Sequence, residues 1–369
     1  MDKIETALFD IVSVYLTKEK IEINCDLNDL YNLSNKLNIT AIVSLVLNKN
    51  GYNNKKFNDS ILQSVNQYER YLDVRKQMDI LLQNIDYLYL KGNAIAKYYV
   101  EPYLRYSGDL DIIVKDRFYE VFEELIRKDY KCITRTKQEC TLINKNGITI
   151  DLHREFYLNE AKYEKVFINA YNKSHELNDD YQYIYLIIHT YKHISVYGQF
   201  EFRPYIDLYY LRDKIDNDKV NSILKDIGLE IFNKRLNHFV DVLIHKEKED
   251  IYDTQLKKYI IMYADDHGAK TRVLINSIGK SKIVYYLSRL FQPYELMKYE
   301  YPILEKKRWM LPLYYVVRLF KLIKNIFFSS KQRKKYTINE INNNFKNNTK
   351  EKESMEEFIK IFGVEPSGR

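Results

Sequence analysis

The sequence predicts an α+β protein in which a small mixed sheet is flanked by an N-terminal and a C-terminal helical region. Three observations lead there. Residues 84–160 alternate strand and helix patterns and carry Lys145-Asn146-Gly147, a strong hairpin signal. The chain on either side repeats its apolar residues at helical spacing. Only 10 Gly and 6 Pro occur in 369 residues, too few for a β-sandwich or a disordered chain. The expected divisions are a helical region at 1–83, the α/β core at 84–160, a second helical region at 161–336 and a flexible tail with a short helix at 337–369.

In the first region Ala7, Val12, Val14 and Leu16 mark an apolar stripe, Asp26 stands as a cap before residues 27–37, and residues 39–47 form a third apolar stretch. A longer helical pattern at 57–82 leads into the core. Nothing in this region suggests chemistry, and its expected role is to buttress the sheet.

The core opens with a short apolar run at 87–90, broken by Lys91-Gly92-Asn93; a helical turn or two follows at 94–98 and stops at Glu101-Pro102. Asp109 and Asp111 then head an apolar strand at 110–114. Strand residues two apart face the same way, which puts both carboxylates on one face and Leu110, Ile112 and Val114 on the other. Side-by-side carboxylates repel unless a cation lies between them, and such hard oxygens suit Mg2+. Asp116 is expected to cap a helix whose apolar face is Phe118, Val121, Phe122, Leu125 and Ile126. Strands at 131–136 and 140–144 lead through the hairpin to 148–153, where Ile148, Ile150 and Leu152 point inward and Asp151 and His153 share the opposite face. With this strand beside that of Asp109, three carboxylates converge, as a two-metal phosphoryl-transfer site requires. The Gly92 turn offers a helix N-terminus to a phosphate. Asn93 is a candidate cap or phosphate ligand, and Lys91 a mobile positive charge. Arg105 is read either as a phosphate contact or as a structural ion pair.

Leu90-Lys91-Gly92, the run Arg105-Tyr106-Ser107-Gly108-Asp109-Leu110-Asp111-Ile112-Ile113-Val114, and Asp151-Leu152-His153 resemble the polymerase-beta-like nucleotidyltransferase superfamily. The likeness is to its bacterial branch of largely uncharacterised nucleotidyltransferases, often found near cell-surface polysaccharide genes. The stretch 189–193 with Arg203 and Asp207, and Phe291-Gln292-Pro293 through Trp309-Met310-Leu311-Pro312, are similar to the same branch, so the resemblance runs from about residue 37 to 324. Gly92-Asn93 stands where the superfamily commonly has Gly-Ser or Gly-Gly, and the interval from Gly92 to Asp109 is longer than in most members. The resemblance implies a polymerase-beta-like core that moves an NMP group from an NTP to an acceptor hydroxyl and releases pyrophosphate. It further implies two Mg2+ ions, with Mn2+ as a substitute, held by Asp109, Asp111 and Asp151. Lys91, Gly92, Asn93 and Arg105 would meet the phosphates, and His153, His189, Lys192 and His193 would line the cleft. Arg203 and Asp207 are read equally as substrate contacts or as a structural ion pair.

Past residue 161 the pattern is helical again, with Asp179-Asp180 opening the helix that carries His189 and His193. Thr190 stands where a zinc protease needs Glu, and two polar residues on a partly exposed helix face remain the plain alternative. Residues 309–328 are the most apolar late segment, but Arg318, Lys321 and Lys324 argue against a membrane span. With the basic run 331–335 this helix is expected to pack on the helical domain with a solvated basic face; peripheral membrane contact through 309–335 is the alternative. Residues 339–353 read as low-complexity, with a short helix at 355–362.

A formal charge of +7 permits a nucleic-acid or membrane partner without requiring one. Cys25, Cys132 and Cys140 form no CxxC pair and read as reduced thiols. With no signal-peptide pattern at 1–20, the expected place is the cytoplasm, either free or at the inner membrane face. Two other functions stay open: a non-catalytic nucleotide-binding or scaffold protein of a cell-surface polysaccharide system, and a toxin-like transferase acting on tRNA or protein.

Overall fold

The computed structural model describes all residues except 106, 115, 136–138, 157–160, 171–174, 267, 295–296, 298–299, 302, 329–348 and 366–369. The chain divides into two compact units. One comprises Met1–Tyr191 and Glu201–Ala264, the other Lys192–Phe200 and Asp265–Arg369.

The first unit begins with four helices, α1 (Lys3–Thr17), α2 (Leu27–Lys36), α3 (Thr40–Lys49) and α4 (Lys55–Leu81). Asp2 and Asp26 accept the free N–H groups that open α1 and α2, which fixes those starts. The buried stripe of α1 is Leu8, Ile11, Val12 and Tyr15. Ala7 and Val14 are only half-buried, so the inward face is rotated from the one read in the sequence.

The sheet follows: β1 (Tyr87–Tyr89), a short helix α5 (Asn93–Ala96), β2 (Asp109–Val114), α6 (Phe118–Arg127), β3 (Lys131–Arg135), β4 (Glu139–Ile143) and β5 (Thr149–His153). Its spatial order is β1-β2-β5-β4-β3. Only the β2–β5 pairing is parallel; β1 on β2, β4 on β5 and β3 on β4 run antiparallel. Leu110, Ile112, Val114, Leu142, Ile150 and Leu152 cover one face of the sheet and share a core with α6 and with Tyr71, Val74 and Met78 of α4. Phe118, Val121, Phe122 and Leu125 are the buried side of α6, each contributing about 1.5–3 kcal/mol by leaving water. Ile126, expected on that face, is exposed. Asp116 does not cap α6: the cap position is Arg117, at φ 59° and without a side-chain cap bond, and Arg117 pairs with Glu120 instead. The edge strand β3 is exposed along its length, carries Lys131 and Arg135, and is interrupted by a register shift between Cys132 and Thr134, features that discourage further strand addition.

After the sheet the first unit is helical: α7 (Ala161–Val166), α8 (Asp179–Lys192), α9 (Arg203–Leu211), α10 (Asn217–Asp226), α11 (Glu230–Leu243) and α12 (Ile251–Asp266). Pro204 lies in the first turn of α9, where its missing N–H is harmless.

The second unit takes a π-helical turn (His193–Tyr197) from the middle of the chain. It adds α13 (Ala269–Ser277), α14 (Lys282–Leu290) and helices at Leu311–Phe328 and Thr349–Ile361. Gly198 is required to be glycine, for a Cβ there would lie 2.3 Å from the Arg272 nitrogen. The last helix begins at Thr349, inside the stretch read as low-complexity, and buries Met355, Phe358 and Phe362; these apolar residues give it a core to join. On the Leu311–Phe328 helix, whose side chains are described as far as Lys321, Lys321 is exposed as expected of a solvated basic face, and Arg318 is not. Arg318 is its one buried residue among those described, while Leu313, Val316, Val317, Leu319 and Phe320 are exposed. Glu300 pairs with both Arg318 and Lys321. The basic run 331–335 and residues 339–348 lie outside the described residues. Among the described residues no helix is long and apolar enough to cross a membrane.

Candidate active site

Asp109 and Asp111 sit on β2 and Asp151 on β5, with Asp111 directly opposite Asp151 in the parallel register. Each of the three offers a carboxylate oxygen, and these oxygens lie within 4.8 Å of one another. Asp111 Oδ2 and Asp151 Oδ1 are buried without a hydrogen-bond partner. A buried acceptor left unsatisfied costs about 1–3 kcal/mol, and a divalent cation ligated by these oxygens would remove that penalty. The donor set, all carboxylate oxygen, suits Mg2+ or Mn2+ rather than a soft metal.

The turn after β1 faces this cluster. Leu90 N–H donates to the Asp111 carbonyl at 3.1 Å, and Lys91 (φ 23°) and Gly92 (φ 51°) then bend the chain through the left-handed region. The Lys91 ammonium lies 3.4 Å from Asp111 Oδ1 and 3.1 Å from His189 Nε2. An ammonium only donates, so that His189 nitrogen carries the lone pair. Burial acts to lower the Lys91 pKa, but the neighbouring Asp111 and Asp109 carboxylates outweigh it and hold the pKa above its ordinary value. Burial likewise acts to raise Asp111, and Lys91 with His153 reverses this, leaving Asp111 below the usual carboxylate range. At Asp151 the balance goes the other way: burial and the charges of Asp111 and Asp109 push its pKa up, against a hydrogen bond from Thr141 and the nearby His153.

Gly92 occupies the cap position of α5 and Asn93 is its first helical residue, so Asn93 does not take the capping place expected of it. A Cβ at position 92 would come within 2.9 Å of Ser107 Oγ. That hydroxyl is held between the Asp109 carbonyl, 2.9 Å away, and Asp109 Oδ1 at 3.1 Å. The bare glycine therefore leaves room for a serine that orients the first carboxylate. His153 reaches Asp111 Oδ1 through Nε2 at 3.3 Å, and its Nδ1 lies 3.6 Å from Glu139.

The Arg105 guanidinium is committed to Asp207, with Nε 2.7 Å from Oδ1 and Nη2 2.8 Å from Oδ2, and Tyr99 donates to the same carboxylate at 2.6 Å. Asp207 thus takes Arg105 rather than Arg203 as its close partner. Arg203 is half-buried at the start of α9, and its pKa is lowered by burial and by Arg105. His189 joins the cluster through Lys91, whereas Lys192 and His193 belong to the second unit. Ser107, Thr141 and Glu139 were not singled out as site residues in the sequence. Thr141 was within reach of sequence reasoning, because alternation through the hairpin places it opposite Asp151.

A second acidic cluster, His238, Asp250 and Asp253, is satisfied internally. Arg235 binds both carboxylates, His238 Nε2 lies 3.0 Å from Asp253, and Asp250 caps α12 by accepting from the Tyr252 and Asp253 N–H groups.

The profile of a family described as uncharacterised nucleotidyltransferase matches residues 25–245. The matched span holds the sheet, all three aspartates and the helices from α2 to α11; the stretches at 291–293 and 309–312, expected to share the resemblance, lie beyond it. No curated protein and no solved structure matches the chain. With more than half its length under that match and an acidic cluster able to hold a metal, the chain belongs to the uncharacterised nucleotidyltransferase family.

Proposed function

We propose that the protein is an Mg2+-dependent enzyme that transfers NMP from an NTP to an acceptor hydroxyl. The acceptor oxygen forms a bond to the α-phosphorus, the bond from that phosphorus to the bridging oxygen breaks, and pyrophosphate leaves. The observation that carries this reading is the pair of orphaned oxygens on Asp111 and Asp151, facing each other across a parallel strand pair beside Asp109. Those three residues would hold the metal, which on binding would neutralise phosphate charge and make the acceptor hydroxyl more acidic. Asp151, directly opposite Asp111 on the neighbouring strand, is the group placed to receive the hydroxyl proton. Ser107 fixes Asp109, and His153 fixes Asp111. Lys91 would supply positive charge to the β- and γ-phosphates, and the Gly92 turn a backbone bare of side chain beside them. Sugar, RNA and protein hydroxyls all satisfy this chemistry as acceptors.

A non-catalytic NTP-binding scaffold is the second reading, favoured by the Lys91 ammonium at Asp111, which neutralises part of the cluster without a metal. One experiment separates the two. Pure protein is incubated with each α-labelled NTP, Mg2+ and fractionated lysate of its source. Transfer of label to one fraction, lost on adding EDTA and in Asp111→Asn, supports the enzyme. NTP binding without labelled product or pyrophosphate refutes it and leaves the scaffold.

A further inference from the structure

The second unit wears its apolar residues on the outside. Ile283, Leu287 and Phe291 follow one another at four-residue spacing along and just past α14, and all are exposed. Leu313, Val317 and Phe320 form a matching exposed stripe on the Leu311–Phe328 helix. The two elements are fastened together: Arg318 Nε donates to the Arg289 carbonyl at 3.0 Å, the Tyr315 hydroxyl donates to the Gln292 carbonyl at 2.8 Å, and the Phe291 and Tyr315 rings meet edge-on at 5.1 Å. Arg318 is buried against Glu300, and the apolar side faces outward. Trp309, just before this helix, is 76% exposed.

Apart from Glu300, which is half-buried against Arg318 and Lys321, the described charges around these stripes are basic. Every charged side chain described as exposed between residues 279 and 321 is basic, namely Lys282, Arg289, Lys306, Lys307, Arg308 and Lys321. An aliphatic surface ringed by cations, with tryptophan beside the basic residues, has the composition of an element that lies in the interface of an anionic bilayer. A second copy of the chain would bring the same cations face to face. Nucleic acid could stack on Phe291, Trp309 and Phe320, but the exposed aliphatic Ile283, Leu287, Leu313 and Val317 between them favour a bilayer.

We propose that α14 and the Leu311–Phe328 helix together form a docking surface for an anionic phospholipid bilayer, entered by Trp309, Phe320 and Ile283 and held by the six basic side chains. Trp309 is the one tryptophan in the sequence, so its fluorescence reports on this surface alone. Full-length protein is titrated with vesicles of phosphatidylcholine, and with vesicles of an equal mixture of phosphatidylcholine and phosphatidylglycerol, and binding is checked by co-flotation. The expected result is a blue shift and co-flotation with the anionic vesicles only, weakened by salt. Removing three cations in Lys306→Gln, Lys307→Gln, Arg308→Gln should weaken binding about a hundredfold. Ile283→Glu should also abolish the shift while melting stays unchanged, because the side chain is exposed. Lack of response to anionic vesicles overturns the proposal, as does equal binding to neutral ones. A Trp309 emission already blue without lipid would assign the surface to another part of the chain, or to a second copy where the emission follows protein concentration. A shift produced by RNA but not by vesicles would assign it to nucleic acid.

Discussion

Breaking the Arg105–Asp207 pair separates a framework role from a phosphate-binding role for Arg105. The two side chains are 9% and 1% exposed and joined by two short hydrogen bonds, with Tyr99 on the same carboxylate. Asp207→Ala leaves a guanidinium buried without its counter-charge. Such a loss costs about 3–5 kcal/mol, whereas replacing both partners by apolar residues is often nearly neutral. At roughly 2–4 °C per kcal/mol for a unit of this length, the melting temperature of Asp207→Ala should fall by about 6–20 °C. Arg105→Met should fall similarly, and Arg105→Met with Asp207→Leu should recover most of the loss. Calorimetry on the full chain measures this, with NTP binding followed on the folded variants. An Arg105→Met variant that melts normally but loses NTP affinity would refute the framework assignment and return Arg105 to the phosphates.

Asp111→Asn should abolish Mg2+-dependent labelling at a near-normal melting temperature, because asparagine keeps the side-chain shape and Asp109 stays beside Lys91. Mg2+ at a hundredfold excess over its dissociation constant should stabilise the native chain by about 2.7 kcal/mol, with no gain in Asp111→Asn; equal thermal shifts in the two would remove the metal from this site. Gly92→Ala forces an alanine into a left-handed conformation and its Cβ to 2.9 Å from Ser107 Oγ. About 1–3 kcal/mol of strain and a marked loss of turnover are expected, tested by denaturation and the labelling assay. Burial acts to raise the Glu176 pKa, but Lys97 and Arg75 hold it below its ordinary value of 4.5. The stability it contributes is therefore present above pH 4.5 and lost as pH falls through the depressed folded value. Over that range Glu176→Gln should show a shallower stability slope than the native chain, and identical slopes would show that the pair contributes nothing.

The three aspartates were legible because a strand has a period of two and the Lys145-Asn146-Gly147 turn fixes which neighbour the last strand reaches. The mixed sheet and the Asp26 cap were legible for the same local reason. Lys91 on His189 and Arg105 on Asp207 were not, since they join residues far apart in sequence and depend on how helices seat against the sheet. Lys91, Ser107 and Gly92 also meet through a positive-φ turn whose shape a sequence pattern does not encode. The Leu311–Phe328 helix shows the limit most directly. Its apolar periodicity reveals an amphipathic element, but not that Arg318 is buried beside Glu300, a residue of a separate segment.

The second unit is discontinuous: residues 192–200 come from the middle of the chain, and the rest follows residue 264. The Phe200 ring meets Phe358 at 5.9 Å, and the Thr271 hydroxyl donates to the Gly198 carbonyl. At about 5–20 residues per second, Phe358 leaves the ribosome on the order of 10 s after Phe200. Throughout that interval a nascent aromatic residue lacks its permanent neighbour and is open to chaperone capture. A fragment starting at residue 265 would lack the nine-residue insertion altogether and should be expressed together with it.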